Sequence, residues 1–167
     1  MSLLNLIPGI VGAFVGVIGT LAVSLILQRR DYIRRAWSSA RAVYFELDVN
    51  RLSVELALQF GSFAPLGRSS FERLLPELAT ILDVAELQAI TGAYTGHAGY
   101  QQMSTEHDHP RAVRELALHG LLAAHVRALE VLRMKAFSES ERRMLATAPP
   151  ASVEITSATS PEAARTR

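Results

Sequence analysis

The sequence predicts an all-α protein: an N-terminal transmembrane helix that continues into an antiparallel three-legged helical bundle, followed by a disordered tail. The run from Leu6 to Leu27 has no charged residue, and residues 28–146 repeat their apolar side chains at helical spacing. Residues 147–167 are rich in Ala, Pro, Ser and Thr and carry little that can pack in a core. The predicted divisions are therefore an anchor (1–27), a bundle (28–146) and a tail (147–167).

The uncharged N-terminal run is long enough for a membrane span. Its 22 residues would form a helix of about 33 Å, and the hydrocarbon core of a bilayer is about 30 Å thick. A cleaved secretory signal is the alternative, because Ala22 and Ser24 are small enough for a cleavage site. No basic residue precedes the run, however, so we expect a retained anchor.

A cluster of arginines follows the uncharged run, and it sets the expected orientation. Basic flanks of a span stay in the cytoplasm. The sequence therefore predicts a single-pass protein of the cytoplasmic membrane, with its N-terminus outside and its C-terminal domain in the cytoplasm. Basic side chains beside a bilayer also attract anionic lipid. The residues with this predicted role are Arg29, Arg30, Arg34, Arg35 and Arg41.

Small residues recur every four positions within the uncharged run, at Gly12, Gly16, Thr20 and Ser24. This spacing places them on one helix face, where a second helix can approach closely. The pattern predicts a homo-oligomer. The competing interpretation is that glycine is simply common in membrane helices.

The first leg of the bundle is predicted as one helix that continues the anchor, giving a rod of about 75 Å. Its apolar positions alternate steps of four and three residues. They are Ile33, Trp37, Ala40, Tyr44, Leu47, Val54 and Leu58. A turn-rich break follows at 61–67, and a second leg broken near Pro76–Asp83 is expected to return toward the anchor. The last helix, which runs to at least Ala136, is expected to lead away again.

Capping patterns mark where the later helices begin. A Ser or Asp followed three residues later by Glu lets the first side chain and the glutamate satisfy each other's backbone N–H groups. Such pairs occur at Ser69/Glu72, Asp83/Glu86 and Ser138/Glu141, and Asp108 can cap a helix with Pro110 in its first turn. Three glycines on the third helix are expected to pack closely against a neighbour: Gly92, Gly96 and Gly99.

Few residues suggest chemistry. The best candidate for a metal site is His107 and His109, with Glu106 and Asp108 beside them. Adjacent residues of one loop rarely form a complete metal site, so no metal or other cofactor is predicted. We interpret His125 as a core histidine, Asn50 as a satisfied polar group, and Glu115 with His119 as a surface pair. None of these residues forms a nucleophile, paired-carboxylate or nucleotide motif. The chain has no cysteine and a net charge of +1, which argues against thiolate chemistry and nucleic-acid binding.

The layout resembles small anchored helical proteins of high-GC bacteria and their phages. The resemblance covers about residues 1–100 and is carried by the span, the basic stop and three short motifs. These motifs are Ala40-Arg41, then Glu46-Leu47 with Asn50-Arg51, then Ala93-Tyr94. It implies an architecture and no catalytic residues.

Three functions remain open on the sequence. The first, which we favour, is a non-enzymatic, membrane-tethered interaction or scaffold module that self-associates and recruits or senses a cytoplasmic protein, for example in superinfection exclusion by a phage or prophage. The second is a holin-like oligomer that permeabilises membranes. The third is a helical bundle that binds a metal or another ligand. A pore-former would not need so large a packed domain, which favours the first function.

Overall fold

The computed structural model describes residues 6–106 and 110–147, with side chains over 16–106 and 110–146. The predicted tail, the weak metal candidates His107 and His109, and the predicted cap Asp108 lie outside the described residues. Throughout the described part the secondary structure is helical, so the all-α prediction is confirmed. Its helices are α1 (Leu6–Phe60), α2 (Ser69–Leu78), α3 (Val84–Thr105), α4 (Arg111–Ala136) and α5 (Glu139–Thr147).

The predicted transmembrane anchor over residues 1–27 is wrong. Within the part of the chain that the structure describes, no helix combines the length and the apolar character needed to cross a bilayer. The prediction that one continuous helix joins this run to the first leg is confirmed.

The bundle core consists of two apolar clusters at opposite ends. We call them the proximal cluster, which lies near the start of the packed part of α1, and the distal cluster, which lies near its end. The proximal cluster includes Ala40, Leu47, Leu78, Ile90, Leu132 and Ala136. The distal cluster includes Val54, Ala57, Tyr100, Met103, Leu118 and Leu121. Packing starts at Ala36, since every residue from Gly16 to Arg35 is exposed.

The order of the legs differs from the prediction. Helices α1 and α3 both run from the proximal to the distal cluster, whereas α4 runs from the distal cluster back to the proximal one. The loop over 61–68 and α2 together form the return from α1, and the turn at 79–83 reverses the chain again. The prediction that both shorter helices run in one direction is wrong because this turn reverses the chain instead of kinking it. Helix α4 therefore leads back toward the start of α1, and the prediction that it leads away is wrong.

Local signals explain most helix boundaries. Gly61 ends α1 with a φ of +68°, in the left-handed region that favours glycine, and its N–H donates to the Ala57 carbonyl. The predicted capping box of Asp83 and Glu86 is present at the start of α3. Before α5, the Ser138 N–H donates to Glu141 Oε2, and the Glu141 N–H donates to Ser138 Oγ. These predictions are confirmed.

The predicted capping box at Ser69 and Glu72 is wrong. Helix α2 begins at Ser69 itself, after Arg68, and has no side-chain cap from its own sequence. Glu72 pairs with Arg68 instead, at 2.7 Å. The first turn of α2 is capped by Glu46, which reaches it from α1.

Candidate interaction surface and buried polar layer

The most unusual surface is the N-terminal part of α1 from Gly16 to Arg35, which we call the projecting segment. All of its residues are exposed, so no face of the helix is covered by the bundle. Its large apolar side chains are 55–65% exposed from Val17 to Leu27. Helices that are apolar on every side are normally buried, because water disfavours so much apolar surface. No other described part of the chain covers this apolar surface.

Basic and aromatic residues follow the apolar part of this segment. Arg29, Arg30, Arg34 and Arg35 are exposed, and none forms a hydrogen bond or ion pair with another described residue. Tyr32 is 53% exposed, and just beyond the segment Trp37 is 49% exposed. We call Arg29, Arg30, Tyr32, Arg34, Arg35 and Trp37 the basic and aromatic collar. An apolar stretch followed by arginine and aromatic side chains is typical of protein segments at the interface of a lipid bilayer.

Arg41, predicted to act with the other arginines, lies elsewhere. Its Nε donates to the Ala136 carbonyl at 2.9 Å, and its Nη2 lies 2.9 Å from Glu141 Oε1. The guanidinium also lies 5.2 Å from the centre of the Phe137 ring. Arg41 thus connects α1 with the end of α4 and the start of α5, while the other four arginines remain on the projecting segment.

The small residues predicted for self-association share a face where they are described. Thr20 Oγ1 donates to the Gly16 carbonyl at 2.8 Å, and Gly16, Thr20 and Ser24 are all exposed. A Cβ added at Gly16 would have no atom of the described residues within 4 Å, so this position on the face is open. Gly12 lies in the stretch of α1 whose side chains are outside the description.

Between the two apolar clusters lies a layer of polar side chains. Glu46 is its hub, since its Oε2 accepts from the Ser70 N–H at 2.7 Å and its Oε1 accepts from the Phe71 N–H at 3.3 Å. Tyr94 Oη donates to the same Oε1 at 2.8 Å. Burial alone would raise the pKa of Glu46, but these hydrogen bonds outweigh it and lower the pKa. Glu46 therefore joins α1, α2 and α3 as a carboxylate.

Tyr94 is held in this layer as a neutral phenol. Burial raises its pKa, and its hydrogen bond to the Glu46 carboxylate raises it further. The ring stacks on Phe71, with centroids 4.2 Å apart, so the residue joins α3 to α2 by packing as well as by its hydroxyl.

Asn50 makes a closed pair of hydrogen bonds with the backbone of Gly67. Its Nδ2 donates to the Gly67 carbonyl at 2.7 Å, and the Gly67 N–H donates to its Oδ1 at 2.8 Å. The side chain is 1% exposed. The prediction of a satisfied polar group is confirmed, and its partner is the loop before α2.

His97 and His125 complete the layer. Their Nε2 atoms lie 3.0 Å apart, and the two Nδ1 atoms have no hydrogen-bond partner. Burial lowers the pKa of both histidines to about 4, with contributions from Arg68 at His97 and from His97 itself at His125. The Leu121 carbonyl acts in the opposite direction on His125, but it does not reach Nδ1 with hydrogen-bond geometry.

The histidine pair is neutral at physiological pH and closed to solvent, so it has the character of a structural contact. His125 was predicted as a core histidine, which is confirmed. His97 was missed by sequence reasoning. The available signal was its spacing: Tyr94 follows Ile90 by four residues, and His97 follows Tyr94 by three. This spacing places His97 on the same buried side of α3.

The remaining chemical candidates do not assemble into a site. Glu115 pairs with Arg111 at 2.7 Å, and not with His119 as predicted. Among the described side chains, no three histidine, aspartate or glutamate residues are grouped so as to hold a metal ion.

Comparison with protein-family models, curated proteins and solved structures found no match to this chain.

Proposed function

We propose that this protein is a non-catalytic helical interaction module that attaches to the surface of an anionic lipid bilayer and presents its bundle to a protein partner. One observation carries the proposal: the projecting segment is apolar and uncovered on every side up to Leu27, and a basic and aromatic collar follows directly. We place the protein at the cytoplasmic membrane on the same grounds.

The energetics favour lipid over a single groove on another protein. A groove covers one side of a helix, whereas the apolar side chains here point in all directions. Insertion into the boundary between headgroups and acyl chains covers much more of that surface. Each arginine near an anionic leaflet adds on the order of 1 kcal/mol, and the four unpaired arginines have only Asp31 as a nearby opposing charge.

Vesicle co-sedimentation of the full-length chain tests the attachment. We expect binding to vesicles that contain phosphatidylglycerol, weaker binding to pure phosphatidylcholine, and a decrease with rising salt because surface charges are screened. Replacing Arg34 and Arg35 by Glu should weaken binding at least tenfold. Replacing Leu21 and Leu25 by Ser should weaken vesicle binding, because less apolar surface enters the bilayer, without changing how binding depends on salt.

The matched control is Arg73→Glu with Arg127→Glu, which makes the same change of charge at exposed positions on α2 and α4. This variant should bind anionic vesicles almost as well as the parent chain. An equal loss of vesicle binding in the two arginine-to-glutamate double variants would show that binding depends only on the net charge of the protein. Absence of binding to anionic vesicles at low salt would contradict the proposal itself.

Self-association is a second property that the same segment supports. Gly16, Thr20 and Ser24 form an open face of small residues, and the Thr20 hydroxyl is already satisfied by the Gly16 carbonyl. Such a face lets two helices approach closely and gain van der Waals contacts. We propose that copies of the protein associate through this face once the segment has entered lipid.

A further inference from the structure

At the distal end of the bundle, a half-open pocket of about 270 Å³ lies between the end of α1, the loop after it and the start of α4. Its apolar wall is formed by Leu58, Phe60, Phe63 and Leu118. Pockets for drug-sized molecules start at about 300 Å³, so this one suits something smaller, such as one large side chain with a terminal group.

On the polar side of the pocket, Arg114 has no counter-ion among the described residues. Arg111, Arg114 and Glu115 line it, and Arg111 is paired with Glu115 at 2.7 Å. Arg114 is half-buried, and no hydrogen bond or ion pair joins its guanidinium to another described residue. With the charges of Arg111 and Glu115 offsetting each other, one positive charge remains beside an apolar wall.

A half-buried guanidinium beside an apolar wall is a suitable place for an anion from outside the chain to bind. Guanidinium groups prefer carboxylates, which they bind through two parallel hydrogen bonds, and such bonds are stronger beside apolar surface than in water. Phe60 is 62% exposed at the rim, so an aromatic surface is also available to an incoming side chain. The pocket therefore offers complementary places for a carboxylate and for an apolar group attached to it.

We propose that this pocket binds the C-terminal residue of a partner peptide, with the terminal carboxylate on Arg114 and a large apolar side chain against Phe60, Phe63 and Leu118. A chain terminus is the simplest protein feature that carries both groups on one residue. The inference extends the proposed function by giving the partner a chemistry. The pocket lies at the end of α1 opposite the projecting segment, so failure of vesicle binding leaves this inference unaffected.

The experiment uses the full-length chain and an acetylated tetrapeptide that ends in leucine and phenylalanine. The peptide with a free carboxylate is titrated beside the same peptide ending in a carboxamide, and binding is followed by ligand-observed NMR. We expect the free acid to bind at least tenfold more tightly, because only the acid can pair with Arg114. Equal binding of acid and amide, or no binding of the acid, would overturn the proposal.

Two variants assign the contacts. Arg114→Gln should weaken binding of the acid about tenfold and leave the amide unchanged, whereas Phe60→Ala should weaken both peptides. The control Arg73→Gln removes one positive charge from an exposed site on α2 and should change neither. Phe60 is exposed and Arg114 is half-buried, and circular dichroism will verify that their variants keep the parent helicity. Undiminished binding of the acid by a folded Arg114→Gln variant would refute the assignment.

Discussion

His97 Nε2 and His125 Nε2 lie 3.0 Å apart, both side chains are buried, and their contact joins α3 to α4 between the two apolar clusters. One ring donates through its Nε2–H and the other accepts through an unprotonated Nε2, so the accepting ring must be neutral. When both rings are protonated, both Nε2 atoms carry hydrogen and the bond is lost. Acid therefore acts against this contact directly.

The first prediction is that the free energy of unfolding falls as the pH drops below about 6.5. The pKa of each histidine is about 4 in the folded chain and 6.5 when unperturbed, so the unfolded chain takes up protons first. Stability is highest above 6.5, declines between 6.5 and 4, and is no longer affected by these groups below 4. By pH 5 the loss should be on the order of 2 kcal/mol for each histidine.

Urea unfolding at pH 7.5, 6 and 5 measures this effect. Replacing both histidines by Leu, which has a similar volume, removes the titrating groups and the two unpartnered Nδ1 atoms. The double variant should be at least as stable as the parent chain at pH 7.5 and should lose much less stability at pH 5. A parent chain equally stable at pH 7.5 and pH 5 would contradict the neutral buried pair.

The second prediction concerns Glu46. Glu46→Gln should lower the free energy of unfolding by about 1–3 kcal/mol at pH 7, because charge-assisted bonds to the first turn of α2 and to Tyr94 are weakened. Since the pKa of Glu46 is lowered by folding, its contribution is present above pH 4.5 and is lost as the pH falls through the folded pKa. The difference between parent and variant should therefore shrink in acid.

Glu72→Gln is the matched control for this measurement. Glu72 lies on α2 itself and forms an exposed pair with Arg68, with side chains 57% and 59% exposed. Such pairs contribute little, and the cost should stay below about 0.5 kcal/mol. Equal destabilisation by the two substitutions would mean that Glu46 has no special role in holding α2.

The third prediction separates three glycines of α3 that were expected to behave alike. A Cβ at Gly96 would lie 2.5 Å from Leu121 Cδ1, whereas a Cβ at Gly92 or Gly99 would meet nothing within 4 Å. Gly92→Ala and Gly99→Ala should each stabilise the chain by about 0.5–1 kcal/mol through helix propensity. Gly96→Ala should gain less or lose stability, because Leu121 must move. Thermal unfolding of the three variants checks the order.

Local sequence signals were sufficient for much of this fold. Helical periodicity identified α1, α3 and α4, and the pairs Asp83/Glu86 and Ser138/Glu141 marked two helix starts. Each of these features depends on residues within a few positions of one another. The prediction that all three glycines of α3 pack closely against a neighbour is wrong for Gly92 and Gly99. Such packing depends on where α4 lies, which local sequence does not indicate.

Long-range relationships were not available from the sequence. The cap on α2 comes from Glu46, more than twenty residues earlier, so the local Ser69/Glu72 pattern pointed to the wrong glutamate. The direction of α3 depends on the turn at 79–83, and periodicity carries no direction. Among the candidate surface residues, Arg41 could be separated from the other arginines only once α4 and α5 were placed beside it.

The last prediction tests self-association through the projecting segment. Gly16→Leu places a large side chain on the face shared by Thr20 and Ser24, which should prevent close approach of a second helix. Ala22→Leu adds comparable bulk on a different side of α1 and is the matched control. In vesicles, energy transfer between labelled copies should fall severalfold for Gly16→Leu and change little for Ala22→Leu. Every residue of the segment is exposed, so both variants should keep the parent helicity. Equal energy transfer in all three chains would place any association outside this face, on the bundle.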